Sequence, residues 1–333
     1  MIEKILIENL AVFEKLEIDT RAPINVFIGE NGTGKTQILK FMLQVLDPKQ
    51  LSRSRTSERH QYMVPEFNST ISDLIREKND SDVKEGSIIL CTNEKEFEFH
   101  CEVTAYGNEM YTPDFEGKFK HCFIPAKDIL THAKGFPEHV EKYALEFDTT
   151  YIKIIKDSRL PKLRETPRIA KKLLPSLEGL MGGNVVYENE KFYIKKPNGS
   201  LRSFDLEAEG LKKIALLWLL LMNETITEGS ILLWDEPEAN LNPKLSSVIA
   251  DVLLELSRNG VQIFLSTHSY FLAKYFDILE KDRREVVFHS LYREDDNWES
   301  PIHCETSDTF SMLCRNSILE EIIELFEREM EWE

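Results

Sequence analysis

Cysteine is sparse and unpaired in this sequence. The 333 residues hold five (Cys91, Cys101, Cys122, Cys304 and Cys314). The number is odd and no two stand at CxxC spacing, so neither a disulfide framework nor a zinc knuckle is supported. Long apolar runs are missing as well. The longest, Ile214 to Met222, falls far short of the roughly 20 residues a membrane span needs. Basic charge is in deficit: 58 acidic residues against 41 basic leave a formal net charge of −17. Such a surface repels bulk phosphate backbone, and any nucleic-acid contact has to come from a local basic patch. The opening Met1-Ile2-Glu3-Lys4 starts a strand pattern and lacks the layout of a signal peptide. No internal repeat and no sustained heptad is present, which excludes a solenoid and a long coiled-coil arm. With 42% hydrophobic and 30% charged residues, the composition is that of a globular chain. The expectation is a reduced, soluble, cytoplasmic protein: one large domain, or one domain carrying a substantial insertion.

Periodicity then sorts the chain. Residues 2–19 alternate apolar and polar (Ile5, Ile7, Phe13, Leu16, Ile18) and predict two strands joined by a short turn. Ile24 to Ile28 is a short apolar run between Pro23 and Gly29, suited to a buried strand. Thr36 to Leu46 spaces Ile38, Leu39, Met42, Leu43 and Leu46 as a helix, and Pro48 follows as a stop. Residues 49–65 have no hydrophobic period and read as a mobile loop. Residues 87–105 predict a hairpin about Thr92-Asn93-Glu94-Lys95, and Phe119 to Ile124 a strand closed by Pro125. Residues 138–180 read as helical, broken by Pro161, Pro167 and Pro175, and a second hairpin follows at 185–194, with Asn198-Gly199 as the next turn. From Glu209 onward helices and strands alternate: helix 211–222, strand 231–234, helix 243–258, strand 261–265. That alternation predicts a parallel, helix-covered sheet. Ile318 to Trp332 completes the chain as an acidic amphipathic helix, whose stripe of Ile318, Leu319, Ile322, Ile323, Leu325 and Phe326 either packs on its own domain or docks a partner.

Two short segments carry chemistry. Gly29-Glu30-Asn31-Gly32-Thr33-Gly34-Lys35-Thr36 fits GxxxxGK[ST] and lies between a predicted strand and a predicted helix, the context this motif requires. Glycines let the backbone wrap a phosphate with its N–H groups pointing inward, and the helix N-terminus adds partial positive charge. Lys35 would reach the β- and γ-phosphates and the Thr36 hydroxyl would bind Mg²⁺. The expected nucleotide contacts are these eight residues and Gln37. The second segment, Ile231-Leu232-Leu233-Trp234-Asp235-Glu236, is an apolar strand ending in two acids. Ligands bind at the carboxyl ends of strands in open α/β sheets. Asp235 is placed to hold Mg²⁺ and Glu236 to act as general base on water. The expected cofactors are ATP and Mg²⁺.

Beyond these motifs, Glu236-Pro237-Glu238-Ala239-Asn240-Leu241-Asn242-Pro243 resembles the D-loop of ABC-type ATPases of the RecF/SMC/OLD branch, and Phe264-Leu265-Ser266-Thr267-His268-Ser269 resembles their switch-histidine strand. The resemblance covers residues 1–46 and about 205–275 and is nearest to compact ATPases of bacterial defence systems of the Septu (PtuA-like) and retron-linked kind. It implies an α/β fold: a P-loop NTPase with an ABC-type head, a mixed sheet covered by helices, an antiparallel β lobe and an inserted helical lobe. The implied division is a core of residues 1–46 and 205–290, an inserted lobe at 47–204 and an acidic helical tail at 291–333. It further implies a composite site closed by a second subunit, with His268 sensing the γ-phosphate alongside Lys35 and Glu236, and with Asn240 and Asn242 on the D-loop meeting the dimer interface.

The sequence also departs from that pattern. The signature segment aligns as Glu207-Ala208-Glu209-Gly210-Leu211, with Ala208 replacing the serine that donates in trans; Lys212 or Lys213 could supply positive charge in its stead. No Gln stands between Gln61 and Gln262 to serve as the Q-loop residue, and Asp128 or Lys127 is the substitute near Mg²⁺, unless Asp128 simply caps a helix start. An OLD-type nuclease domain is not expected in the 65 residues after His268. The implied activity is slow ATP hydrolysis, coupled to dimerisation or higher homo-oligomerisation and to control of a separate effector, a nuclease or toxin, in antiphage defence. The alternative is a RecF-like repair ATPase acting directly on DNA, for which the basic residues Lys49, Arg53, Arg55 and Arg59 are the candidate contact.

Overall fold

The computed structural model describes residues 1–47, 52–53, 62–64, 66–76, 83–104, 109–113, 119–143, 145–280, 284–295 and 297–331. Pro48, Lys49, Arg55 and Arg59 lie outside the described residues. The chain opens with β1 (Ile2–Leu10), β2 (Phe13–Asp19) and β3 (Ile24–Gly29), then α1 (Lys35–Leu46). Short strands β4 (Ser52–Arg53), β5 (Tyr62–Val64) and β6 (Ser69–Thr70) form a small antiparallel sheet ahead of the single turn α2 (Ile71–Leu74). β7 (Val83–Thr92), β8 (Glu96–Thr104) and β9 (Glu109–Pro113) follow, then β10 (His121–Ile124). The helices α3 (Phe136–Tyr143), α4 (Thr149–Ser158) and α5 (Arg168–Met181) precede a three-stranded sheet of β11 (Asn184–Glu188), β12 (Lys191–Lys195) and β13 (Leu201–Ser203). The last stretch alternates: α6 (Glu209–Met222), β14 (Ile231–Asp235), α7 (Ser246–Arg258), β15 (Gln262–Ser266), α8 (Tyr270–Leu279), β16 (Val286–Tyr292), β17 (His303–Ser307) and α9 (Ser317–Glu331).

Two sheets organise these elements. The central one runs β10-β14-β15-β3-β16-β17, parallel throughout except for antiparallel β17 at the edge. The other, β2-β1-β7-β8-β9, is antiparallel. β7 is therefore hydrogen-bonded to β1, with β8 and β9 extending that sheet, and β10 to β14 in the central sheet, although the sequence placed these residues inside an inserted lobe.

The central sheet is buried on both faces, which explains its continuous apolar strands. Period-two alternation sends neighbouring residues to opposite cores. Leu232, Trp234, Ile263, Leu265, Val26 and Ile28 enter a core shared with α4 to α8. Ile231, Leu233, Phe264 and Phe27 enter a second core shared with α1 and the antiparallel sheet. Parallel register brings the carboxyl ends of β3, β14, β15 and β16 to one edge, with Asp235 opposite Ser266, Ser266 opposite Phe27, and Leu291 opposite Gly29.

Pro175 lies inside α5, so it does not end that helix as its type suggests. The buried face of Ile169, Ala170, Leu173, Leu174, Leu177 and Met181 carries the helix past it. Among the described residues, no helix is long and apolar enough to cross a membrane.

Candidate nucleotide-binding and catalytic site

The loop from Gly29 to Gly34 joins β3 to α1. Its three glycines hold φ values of 139°, 77° and 92°, which side chains bearing a Cβ adopt only under strain. Space excludes a side chain too. A Cβ on Gly29 would strike the carbonyl of Leu291 on β16, and one on Gly34 the Phe13 ring. Thr33 ties the loop to itself, its hydroxyl donating to the Glu30 carbonyl at 2.8 Å. Lys35 Nζ donates to the carbonyls of Gly29 and Glu30, both at 2.7 Å. Burial lowers the Lys35 pKa to about 8 against the opposing pull of Glu236, Asp235 and Glu30, so the group stays mainly cationic at neutral pH.

Thr36 Oγ1 donates to Asp235 Oδ1 at 2.8 Å across 199 positions of sequence. Ser266, at the end of β15, also donates its hydroxyl to that oxygen. Thr36 and Asp235 are hard oxygen donors side by side. Such a pair suits Mg²⁺, which takes one or two protein oxygens and fills its remaining positions with water and substrate phosphates. Among the described residues, no cluster of three or more His, Cys, Asp or Glu forms a metal cage, as that arrangement would have it.

Glu236 takes a left-handed backbone, φ 46°, a conformation costing about 1–3 kcal/mol in a residue with a side chain. Two neighbours hold it there. The backbone N–H of Glu236 donates to Ser266 O and Oγ, each at 3.2 Å, and Lys213 Nζ donates to the Glu236 carbonyl at 2.7 Å. The turned backbone sends the carboxylate of Glu236 to His268, whose Nε2 lies 3.4 Å from Oε1. Burial, then the Lys35 charge, lowers the His268 pKa, which keeps the ring neutral at pH 7 and fit to accept or donate one hydrogen bond.

The structure therefore brings Lys35, Thr36, Asp235, Glu236 and His268 to one edge of the sheet. Asp128 is bonded elsewhere. Its Oδ1 accepts the Leu130 N–H at 3.1 Å and its Oδ2 the Thr131 hydroxyl at 2.9 Å, with Lys212 Nζ at 3.8 Å. This is the capping role, and no bond links Asp128 to the Thr36–Asp235 pair. Lys212 and Lys213 are not presented outward either. Both are buried, Lys212 donating to Thr131 Oγ1 and Lys213 to Glu236, and burial lowers the Lys213 pKa.

At the start of α6, Ala208 is the N-cap and offers no side-chain cap, and Glu209 occupies the first turn. Gly210 packs so closely on Asn240 and Leu241 that a Cβ there would press on both. Asn240 is left-handed, φ 63°, and Asn242 accepts the Lys244 N–H at 3.0 Å to cap the turn Pro243–Leu245. Arg53 falls in β4, and the other three basic residues of that region lie outside the described residues.

Four functional contacts escaped the sequence reading: Ser266 to Asp235, Lys213 to Glu236, Glu238 to Thr267, and Trp298 against the loop at Gly32. A lysine pair inside the apolar run after Gly210 was the available signal for Lys213. Nothing local marks Trp298, which arrives from the β16–β17 connection with Arg293 5.0 Å from its ring.

Comparison with known proteins agrees with this fold. An SMC head domain from Thermotoga maritima superposes with a TM-score of 0.50 at 14% identity, over 91% of this chain and 98% of that one. The Smc head domain with an extended coiled coil bound to the C-terminal domain of ScpA, from Pyrococcus furiosus, gives 0.56 at 15% identity over 99% of each. A SmcHead bound to the C-winged helix domain of ScpA gives 0.57 at 17%, over 91% and 97%. The fold is that of an SMC-head-like P-loop ATPase. A family model described as "AAA domain, putative AbiEii toxin, Type IV TA system" matches residues 105–274, just over half of the chain, and the chain belongs to that AAA-domain family. An AAA ATPase domain model matches residues 1–166. A 66-residue segment is 39% identical to the DNA double-strand break repair Rad50 ATPase of Methanopyrus kandleri; it is 20% of this chain and only 7% of that protein.

Proposed function

We propose that this chain binds ATP with Mg²⁺ and hydrolyses it slowly. The observation that carries the reading is the Thr36–Asp235 bond at 2.8 Å, which joins the two motifs. Gly29, Glu30, Asn31, Gly32, Thr33, Gly34, Lys35, Thr36 and Gln37 hold the nucleotide. Thr36 and Asp235 hold the metal, which would polarise the β- and γ-phosphates. Glu236 is the base that takes a proton from water, and His268 places that water against the γ-phosphate. Lys35 turns from the Gly29 and Glu30 carbonyls to the phosphates, exchanging two neutral acceptors for charged ones. Two copies close around the nucleotide, with Ala208, Glu209, Gly210, Asn240 and Asn242 at the face between them. The core comprises 1–46 and 205–290 together with β7 to β10 and β17, which complete its two sheets; the remainder of 47–204 is the insert and α9 the tail.

The same reading makes the ATPase a switch that controls a separate nuclease or toxin in antiphage defence. Support comes from the compact, arm-free sequence and the membership of an AAA family whose description names a toxin. Moving such a switch from 1:99 to 99:1 takes a preference of about 5.5 kcal/mol, which γ-phosphate contacts from two subunits can supply. The test is native mass spectrometry of Glu236→Gln protein recovered from its host with ATP and Mg²⁺. A stoichiometric nuclease or toxin supports the switch. A dimer carrying only nucleotide, or nucleic acid, moves the reading to an ATPase acting on DNA. The Rad50 similarity favours that second reading, and its mark would be DNA-stimulated hydrolysis with steep salt dependence.

A further inference from the structure

The segment after β14 folds back on itself. Glu236 and Asn240 are both left-handed; Ala239 N donates to Glu236 O at 3.1 Å and Leu241 N to Glu238 O at 2.9 Å. This tight course aims the Glu238 side chain at the end of β15. There its Oε1 accepts the Thr267 hydroxyl at 2.6 Å and the backbone N–H of His268 at 3.1 Å. Its Oε2 is closed off from solvent and has no hydrogen-bond partner among the described residues. Burial raises the carboxyl's pKa.

A buried carboxyl oxygen with no donor destabilises a fold. Stability alone is therefore a poor account of a glutamate here. Nor is Glu238 placed to serve as the base, because its one satisfied oxygen is already taken by Thr267 and His268. What its geometry does is fix two consecutive residues of the switch loop, and the second of them carries the ring that faces Glu236 at 3.4 Å.

We infer that Glu238 is a positioning residue: its carboxyl holds the backbone of Thr267 and His268 so that the His268 ring stays aligned with Glu236, and it links that alignment to the Asn240–Leu241 turn. The inference deepens the ATP-hydrolysis reading of this site and rests on it. The link is physical. Gly210 at the start of α6 packs against Asn240 and Leu241, two and three residues beyond Glu238. Pressure on that turn from a second copy of the chain shifts Glu238 and with it His268. A misplacement of about 1 Å at a reacting centre is worth up to a hundredfold in rate, so a small displacement suffices to regulate turnover.

The test uses the full chain and measures kcat and the ATP Kd separately for Glu238→Ala, Glu238→Gln and Thr267→Val. Glu238→Ala should lower kcat by about 30-fold while Kd stays within about threefold, the pattern of an interaction that matters in the transition state. Glu238→Gln should restore most of the rate, because an amide oxygen accepts both bonds. Thr267→Val, which leaves the His268 N–H bond intact, should cost about fivefold. A Glu238→Ala kcat within twofold of the parent overturns the inference, as does a Kd that worsens in step with kcat. Where Glu238→Ala fails to fold, an unchanged kcat in Thr267→Val overturns it equally. Glu236→Gln run alongside separates the two levels. A parent chain that neither binds nor hydrolyses ATP removes the site reading and this inference together. Hydrolysis lost in Glu236→Gln but kept in Glu238→Ala removes this inference alone.

Discussion

Two helices in this chain begin beside the residues that sequence comparison would assign to ATP, and they treat charge in opposite ways. At α1 the N-cap is left-handed Gly34 with no side-chain cap, no acid stands in the first turn, and Lys35 sits at the first position. The free N–H groups and the positive end of the helix dipole are left available to an anion. At α6 the N-cap is Ala208, but Glu209 stands in the first turn, and Glu207 just before it is buried in an ion pair with Arg202. Acids there already satisfy the dipole and repel a phosphate. The first terminus gathers its groups within one chain, whereas the second packs against Asn240 and Leu241 of its own chain. The contrast teaches that a helix start beside a glycine is not by itself a phosphate site, and that the surrounding charge decides.

The most drastic way to erase the contrast is to make α1 resemble α6. Lys35→Ala removes the buried cation that the loop carbonyls hold, and ATP affinity should fall by at least about a hundredfold, close to 3 kcal/mol. Isothermal titration with ATP and Mg²⁺ measures this directly, and normal affinity would contradict the phosphate-loop assignment. Next in size is Glu236→Gln. It keeps the α1 terminus and the Thr36–Asp235 bond, so ATP should still bind, while turnover should drop by about 10²–10⁴ for a lost general base. Phosphate release at saturating ATP reports it, and a rate equal to the parent's would assign the base to another residue.

The same contrast marks how far sequence reading reaches. The α1 terminus was legible because every part of it is contiguous: the strand, the three glycines, Lys35 and Thr36 all lie between Ile24 and Thr36. The parallel, helix-covered sheet and the site edge followed from alternating strands and helices, whereas the strand order is set by non-local pairing. Asp128 stayed open between a metal role and a cap because a strand followed by an acid looks alike whether the carboxylate faces a metal or bonds its own turn, as it does here. Lys212 and Lys213 were misplaced for a related reason. Lysines at the start of an apolar helix look solvated until β14 brings Glu236 to Lys213 from 23 residues away and Thr131 meets Lys212 from 81. Strands 83–104 and 121–124 were assigned to an insert because pairing with β1 and β14 is non-local and leaves no mark in their own residues.

Charge burial also differs along α1 itself. Its first residue keeps a cation, while Lys40 near its middle lies in a set of groups that holds a buried acid. Lys40 Nζ donates to Asp148 Oδ2 at 2.7 Å and to the carbonyl of Glu66 at 2.6 Å. The Glu66 side chain is fully buried, both its oxygens lack hydrogen-bond partners among the described residues, and burial pushes its pKa up to about 7. A raised carboxyl favours the protonated folded state. Its contribution to stability is complete below the unfolded value of about 4.5 and is lost as the pH rises through about 7. On the order of 3 kcal/mol at most is involved. Urea midpoints should therefore fall between pH 5 and pH 8, and Glu66→Gln should flatten that slope. An unaltered slope in the variant would assign the pH dependence to other groups.

The smallest change tests the other terminus. Ala208→Ser gives α6 the side-chain cap it lacks, since a hydroxyl at the N-cap accepts an N–H from the first turn. In isolation that should stabilise the chain by about 1 kcal/mol, seen as a slightly raised urea midpoint with no nucleotide present. If this terminus also meets a nucleotide held by a second copy, the same hydroxyl becomes a donor to the γ-phosphate, and ATP should then drive dimerisation at lower protein concentration. The two effects are separable, because capping acts without ATP and the donor acts only with it. Sedimentation of Ala208→Ser with and without ATP and Mg²⁺, in the Glu236→Gln background to prevent turnover, distinguishes them. A midpoint shift unaccompanied by any ATP-dependent gain in dimer would confine α6 to packing against Asn240 and Leu241 within its own chain, and would leave α1 as the only one of the two helix starts that meets the nucleotide.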